Sequence, residues 1–184
     1  LYSDRRRGFC AGADLRELQE GMVQLGGSWR GRAARKLLGP VIRRRVGRFI
    51  DRIHDVFDRL DQLPVLTIAV THGVVFGGGF ELALTADVIV AEDNTRFAFP
   101  ELRLGLVPGF GGIPRLERDV GNAVVRDLLL SGRSMGAKRA HQIGLVSQVV
   151  GRGKGLDVAR KLAEQGARFE PATVRRAKAF AKPP

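Results

Sequence analysis

The sequence predicts an α/β fold with one sizeable core, and three observations lead there. Short apolar runs rich in branched residues alternate with glycine turns and amphipathic stretches of helical period. The 184 residues are 44% hydrophobic and 27% charged, enough to bury a substantial core. No apolar run approaches the length of a membrane-spanning helix.

Asp14 and Glu17 have the spacing of a helix N-cap and its reciprocal partner, with Leu15, Leu18 and Met22 as an apolar stripe, so a helix is expected directly after Ala11-Gly12-Ala13. Gly26 to Gly39 mixes glycine with Arg30, Arg32, Arg35 and Lys36 without a period and reads as a basic loop or helix fragment. From Ile42 through Val46, Phe49, Ile53, Val56, Leu60 and Leu63, apolar residues recur every three or four positions with arginines between them. That pattern predicts one long amphipathic helix, stopped by Pro64. Val65 to Val70 predicts a strand buried on both faces. Gly77, Gly78 and Gly79 lead into a helix over Phe80 to Ala86, followed by strands at Val88 to Ala91 and Arg96 to Ala98. Beyond a turn at Pro108 to Gly112, helices are expected at about Asn122 to Leu130, Ala137 to Ile143, Leu156 to Gln165 and Thr173 to Ala181, with a strand near Leu145 to Val150. Ser134 and Gly144 have the character of start and stop signals for the second of these helices.

The net charge of +12 suits a polyanionic partner such as a phosphorylated cofactor, nucleic acid or an anionic membrane, or else simply a solvated arginine-rich surface. Aromatic residues make up only 7% and no base-stacking motif is present, which ranks nucleic acid below catalysis. The one cysteine, Cys10, has no internal disulfide partner and reads as a small buried side chain. The opening residues lack the apolar core of a secretory signal, so a reducing compartment is expected: the cytoplasm, with the mitochondrial matrix as the alternative. No Cys/His cluster has metal-ligand spacing, and no metal is predicted. His54 and His141 fall in predicted helices as surface or packing residues, and His72 reads as turn architecture. The Gly109 to Gly112 turn lacks the Lys-Ser or Lys-Thr that would follow in a phosphate-binding loop.

The run from Thr67 to Asp87, with its triple glycine ahead of Glu81, resembles the central signature of the crotonase superfamily, the enoyl-CoA hydratase/isomerase family. Phe9-Cys-Ala-Gly-Ala-Asp-Leu15 resembles that family's other signature, and the two stand in family order. The resemblance implies a crotonase-like spiral of ββα units, with a partial core at residues 1–150 and the start of a C-terminal helical region at 151–184. It implies syn addition of water to a trans-2-enoyl-CoA through an enolate, with coenzyme A as part of the substrate and no separate cofactor. Glu81 and Glu101 would be the catalytic carboxylates, Glu101 delivering the proton to C2. The backbone amides of Ala13 and Gly78 would form the oxyanion hole, with Ala11, Gly12, Asp14, Leu15, Gly77 and Gly109 around the substrate. Asp14 itself is expected to act as a helix cap rather than as a catalyst. Members that only shift a double bond need a single carboxylate, so the presence of both favours hydration.

The chain departs from the family pattern in two ways. It starts almost at the first signature and ends at Pro184, where a typical member has earlier strands and later helices that complete a homotrimer or dimer of trimers. It also carries extra basic residues over Gly26 to Arg48, which are expected to lie over the acyl-CoA entrance and meet CoA phosphates through Arg30, Arg32 and Arg35. The rival readings are another acyl-CoA isomerase, dehydratase or decarboxylase, an RNA-binding protein, and a non-catalytic remnant.

Overall fold

The first five strands alternate in succession between two small sheets, which is the geometric basis of the fold. The computed structural model describes residues 1–12, 44 and 47–182. In the first sheet, β1 (Gly8–Cys10), β3 (Val74–Phe76), β5 (Arg96–Ala98) and β6 (Met135–Gly136) lie in the order β1-β3-β5-β6. In the second, β2 (Ile68–Thr71), β4 (Val88–Glu92) and β7 (Gln148–Val150) lie in the order β2-β4-β7. All neighbours run parallel except β5 and β6. The chain thus passes β2 to β3, returns through helix α2 (Gly78–Ala83) to β4, and crosses again to β5. This is the expected winding of strand, strand and helix.

The remaining helices pack around that spiral: α1 (residues 47–61), α3 (Gly112–Val120), α4 (Asn122–Ser131), α5 (Ala137–Gln142), α6 (Gly155–Gly166) and α7 (Pro171–Ala181). The main core contains Phe80, Phe97 and Phe99, whose rings meet at centroid separations of 5.1 Å and 4.8 Å, together with Leu84, Leu116 and Leu128. A second core forms where Ala159 of α6 covers Ile68, Val70 and Val90. Every residue of β2 is buried, as suits its apolar Ile68, Ala69 and Val70, and the buried Thr71 hydroxyl donates to the Val90 carbonyl.

Several elements differ from expectation for local reasons. The strand expected at Val65 begins at Ile68, because Val65 is half exposed and the Thr67 amide donates to the Asp87 carboxylate at 2.7 Å rather than to a neighbouring strand. The strand expected from Leu145 is confined to Gln148–Val150, since the Leu145 and Val146 amides both donate to the Ala140 carbonyl and finish the preceding helix. Gly136, not Ser134, caps α5, while Gly144 follows its end at φ +86° as a stop signal should. Helix α3 was not expected at all: Gly111, Gly112 and Pro114 look like a turn, yet Pro114 falls in the first helical turn, where its missing N–H is no loss. Among the described residues, no helix is long and apolar enough to cross a membrane.

Helix α7, which buries none of its residues, is tied to the body by charge. Lys178 reaches Asp87 at 2.8 Å, and Lys182, just beyond the helix, reaches Asp61 at 2.8 Å and Asp87 at 3.0 Å. Arg118 of α3 meets the same Asp61 at 2.8 Å. Burial alone would raise the pKa of both aspartates, but Arg118 and Lys182 at Asp61, and Lys178, Thr67 and Lys182 at Asp87, outweigh it and hold both below the ordinary carboxylate range. A depressed folded value means that this stabilisation is complete above the ordinary aspartate pKa and is lost as pH falls through the folded value. Asp87→Asn is therefore expected to cost about 2 kcal/mol at neutral pH. Melting curves against pH should show the variant losing less stability in acid than the parent.

Candidate active site

The two glutamates singled out by the sequence reach one region from different elements. Glu81 sits on α2 and is 1% exposed. Its Oε1 accepts hydrogen bonds from the Phe110 amide at 2.8 Å and the Gly112 amide at 2.9 Å. Glu101 opens a short 3₁₀ helix, Glu101–Leu104, directly after the buried Phe99 and Pro100. Its Oε1 lies against Gly77, the N-cap of α2: a Cβ built on that glycine would come 2.6 Å from the oxygen. Gly77 also holds φ at +54°, so both backbone and side-chain space reserve this position for glycine.

The electrostatics of the two carboxyls differ. Burial holds the Glu81 pKa above its ordinary value, and the amides of Gly112 and Phe110 and the charges of His54 and Arg115 offset only part of that rise. Burial also raises Glu101, the backbone amide of Glu101 itself opposes this, and the Glu81 charge pushes it further up. Glu101 Oε2 is buried with no hydrogen-bond partner among the described residues. Both carboxyls thus stand above the ordinary glutamate range, but Glu81 has two backbone amides to offset its burial, whereas Glu101 has an unpartnered oxygen and a like charge beside it.

Gly78 is the first residue of α2, so its amide precedes the intrahelical hydrogen-bond ladder. Gly12, at φ +93°, abuts it: a Cβ on Gly12 would come 3.1 Å from the Gly78 nitrogen. Cys10 leads from β1 through Ala11 into this contact. Ala13, Asp14 and Leu15 lie outside the described residues, as does the basic segment over Gly26 to Arg48 apart from Arg44, Gly47 and Arg48. The structure thus brings together Glu81, Glu101, Gly12, Gly77, Gly78 and the turn containing Gly109.

That turn carries the residues that the sequence did not reveal. The Phe110 ring covers Gly78, where an added Cβ would meet it at 3.0 Å, and packs edge-on against Phe57 of α1 at 6.1 Å. Buried Arg115 donates to the Phe110 carbonyl at 3.0 Å and pairs with Asp58 at 2.5 Å. His54 Nε2 lies 2.5 Å from the Gly109 carbonyl oxygen. The only available sequence signal was a helical face bearing His54, Asp58 and Asp61 at intervals of four and three residues. His72 holds the Arg5 carbonyl at 2.7 Å, in keeping with its reading as turn architecture. A separate groove of about 550 Å³ beside α7, lined by residues such as Leu66, Phe169, Val174 and Ala177, contains neither glutamate.

The sequence profile of the enoyl-CoA hydratase/isomerase family matches residues 43–182. The chain belongs to this family. Within it, the carnitinyl-CoA dehydratase of Escherichia coli K12 is 49% identical over 98 residues, covering 53% of this chain and 38% of that protein. The carnitinyl-CoA dehydratase of Proteus mirabilis is 46% identical over 107 residues, covering 58% of this chain and 41% of that one. Among solved structures, the enoyl-CoA hydratase of Bacillus anthracis superposes with a TM-score of 0.80 at 31% identity, covering 99% of this chain and 63% of the other. Pseudomonas aeruginosa DspI superposes at 0.77 with 30% identity, covering 97% and 65%. The chain therefore has the crotonase fold and spans well under half the length of these two curated relatives.

Proposed function

We propose that this crotonase-family chain supplies the hydratase chemistry of an acyl-CoA enzyme: syn addition of water to a trans-2-enoyl-CoA, with dehydration as its reverse. The unequal environments of Glu81 and Glu101 carry this reading. Glu81, as carboxylate, takes a proton from the water whose oxygen bonds to C3. The C2–C3 π electrons move toward the thioester, and its oxygen gathers charge as an enolate. The Gly78 amide, with Ala13 as its partner, stabilises that oxygen. Glu101, held as the neutral acid, gives its proton to C2 as the enolate collapses. Both carboxyls are raised by burial, but only Glu81 has amide donors for its anion and only Glu101 feels the other's charge as a further upward push, an inequality that suits this division of labour.

A dehydratase direction draws support from the similarity to carnitinyl-CoA dehydratases. It uses the same two groups in reverse, so substrate supply rather than a different site would decide the direction. Incubation with crotonyl-CoA should bleach the enoyl absorbance and yield 3-hydroxybutyryl-CoA. Isomerisation of a 3-enoyl-CoA without any hydration would instead favour an isomerase. Salt-sensitive RNA binding that coenzyme A fails to compete would favour the nucleic-acid reading.

A further inference from the structure

We propose that His54 is a positioning residue for Glu81, acting through the peptide unit that joins Gly109 to Phe110. A carbonyl oxygen can only accept, so the 2.5 Å contact requires a proton on His54 Nε2. The same peptide unit presents its N–H to Glu81 Oε1 at 2.8 Å. A peptide is planar, with its C=O and N–H pointing in opposite directions, so fixing one end aims the other. Polarising the carbonyl also strengthens the N–H as a donor. His54, one rigid peptide and the carboxylate therefore form a single line from α1 to α2.

The next peptide is held in the same sense. Arg115, braced by Asp58 one turn along α1 from His54, grips the Phe110 carbonyl. The second amide on Glu81 comes from Gly112 at the start of α3. The carbonyls of this turn thus face α1 and Arg115, while its amides face the carboxylate. Removing the histidine leaves the Gly109 carbonyl without its donor and frees that peptide to rotate. The charge of His54 also draws the Glu81 pKa downward, as expected for a ring close to the carboxylate. Among the described residues, the ionisable groups around this turn are Glu81 on α2, Arg115 on α3 and Asp58 on α1, with Asp61 3.8 Å from Arg115 and Glu101 coupled to Glu81.

This inference rests on the hydratase reading for its rate effect but not for its effect on Glu81. His54→Leu removes the donor, whereas His54→Gln keeps an amide N–H near the place of Nε2. With crotonyl-CoA, His54→Leu should lower kcat by about tenfold with KM changed less than about twofold, and His54→Gln should recover most of the loss. In protein labelled with ¹³C-glutamate, the Glu81 carboxyl signal, assigned by its absence in Glu81→Gln, should titrate at higher pH in His54→Leu and near the parent in His54→Gln. If crotonyl-CoA is not hydrated by the parent but the carboxyl titration moves as described, the function reading fails and the positioning role stands. An unmoved Glu81 titration in His54→Leu, or equal impairment of both variants, would overturn the proposal.

Discussion

Replacing Glu101 by glutamine should reduce turnover of crotonyl-CoA by about 10²–10⁴-fold while leaving thioester binding nearly intact. Glutamine keeps the shape of the side chain but has no proton to give to C2. The same substitution should raise the melting temperature, because the parent buries an oxygen that has no partner and carries a like charge as neighbour. The sign follows from the raised folded pKa. Between the ordinary glutamate value and the raised one, folding must take up a proton, and above the raised value it must bury the charge. The stabilisation from glutamine therefore grows as pH rises through that window and vanishes in acid, where the parent is neutral in both states. Melting curves at several pH values, run beside the turnover assay, measure both effects. An active Glu101→Gln protein, or one destabilised at neutral pH, would remove Glu101 from the proton-delivery role. Glu81→Gln should lose comparable activity for a different reason. It keeps an acceptor for the Phe110 and Gly112 amides but cannot take a proton from water.

Such residues were legible in the sequence because they are local to a motif. The triple glycine next to Glu81 encodes close backbone approach, while the spiral came from the resemblance of the Thr67 to Asp87 and Phe9 to Leu15 runs to the crotonase signatures. What the sequence concealed depends on pairs far apart along it. Asp58 and Asp61 on one helix meet Arg115 and Arg118 on another 57 residues later, and no periodicity signals such a match. His54 looked like a packing or surface residue because its partner is a backbone carbonyl, which has no side-chain signature. Helix α3 was obscured by Pro114, whose tolerance in the first turn depends on where the helix begins. Strands β3 and β6 contain only 3 and 2 residues, too few for alternation to show.

Gly79→Ala should be the most damaging change of a single methyl near the site, lowering kcat/KM by about 10²–10³-fold and stability by about 1–3 kcal/mol. A Cβ on Gly79 would come 2.3 Å from the Cys10 carbonyl oxygen and 2.6 Å from its carbon. These are backbone atoms of β1, which is held to β3 by parallel pairing and to His72 by the Phe9 amide at 2.9 Å. Neither can swing aside as a side chain would, so α2 and β1 must separate. That separation acts where Gly12 abuts the Gly78 amide, and it widens the spacing between the two backbone segments proposed to share the thioester oxygen. Hydrogen-bond stabilisation of a developing oxyanion depends on donors at about 2.7–3.1 Å, so a shift of a few tenths of an ångström is felt in rate. Gly151→Ala is the control: nothing lies within 4 Å of its added methyl, and its stability should change by less than about 0.5 kcal/mol. A Gly79→Ala protein that hydrates crotonyl-CoA within about threefold of the parent would show that the contact between α2 and β1 does not set the geometry of the oxyanion donors.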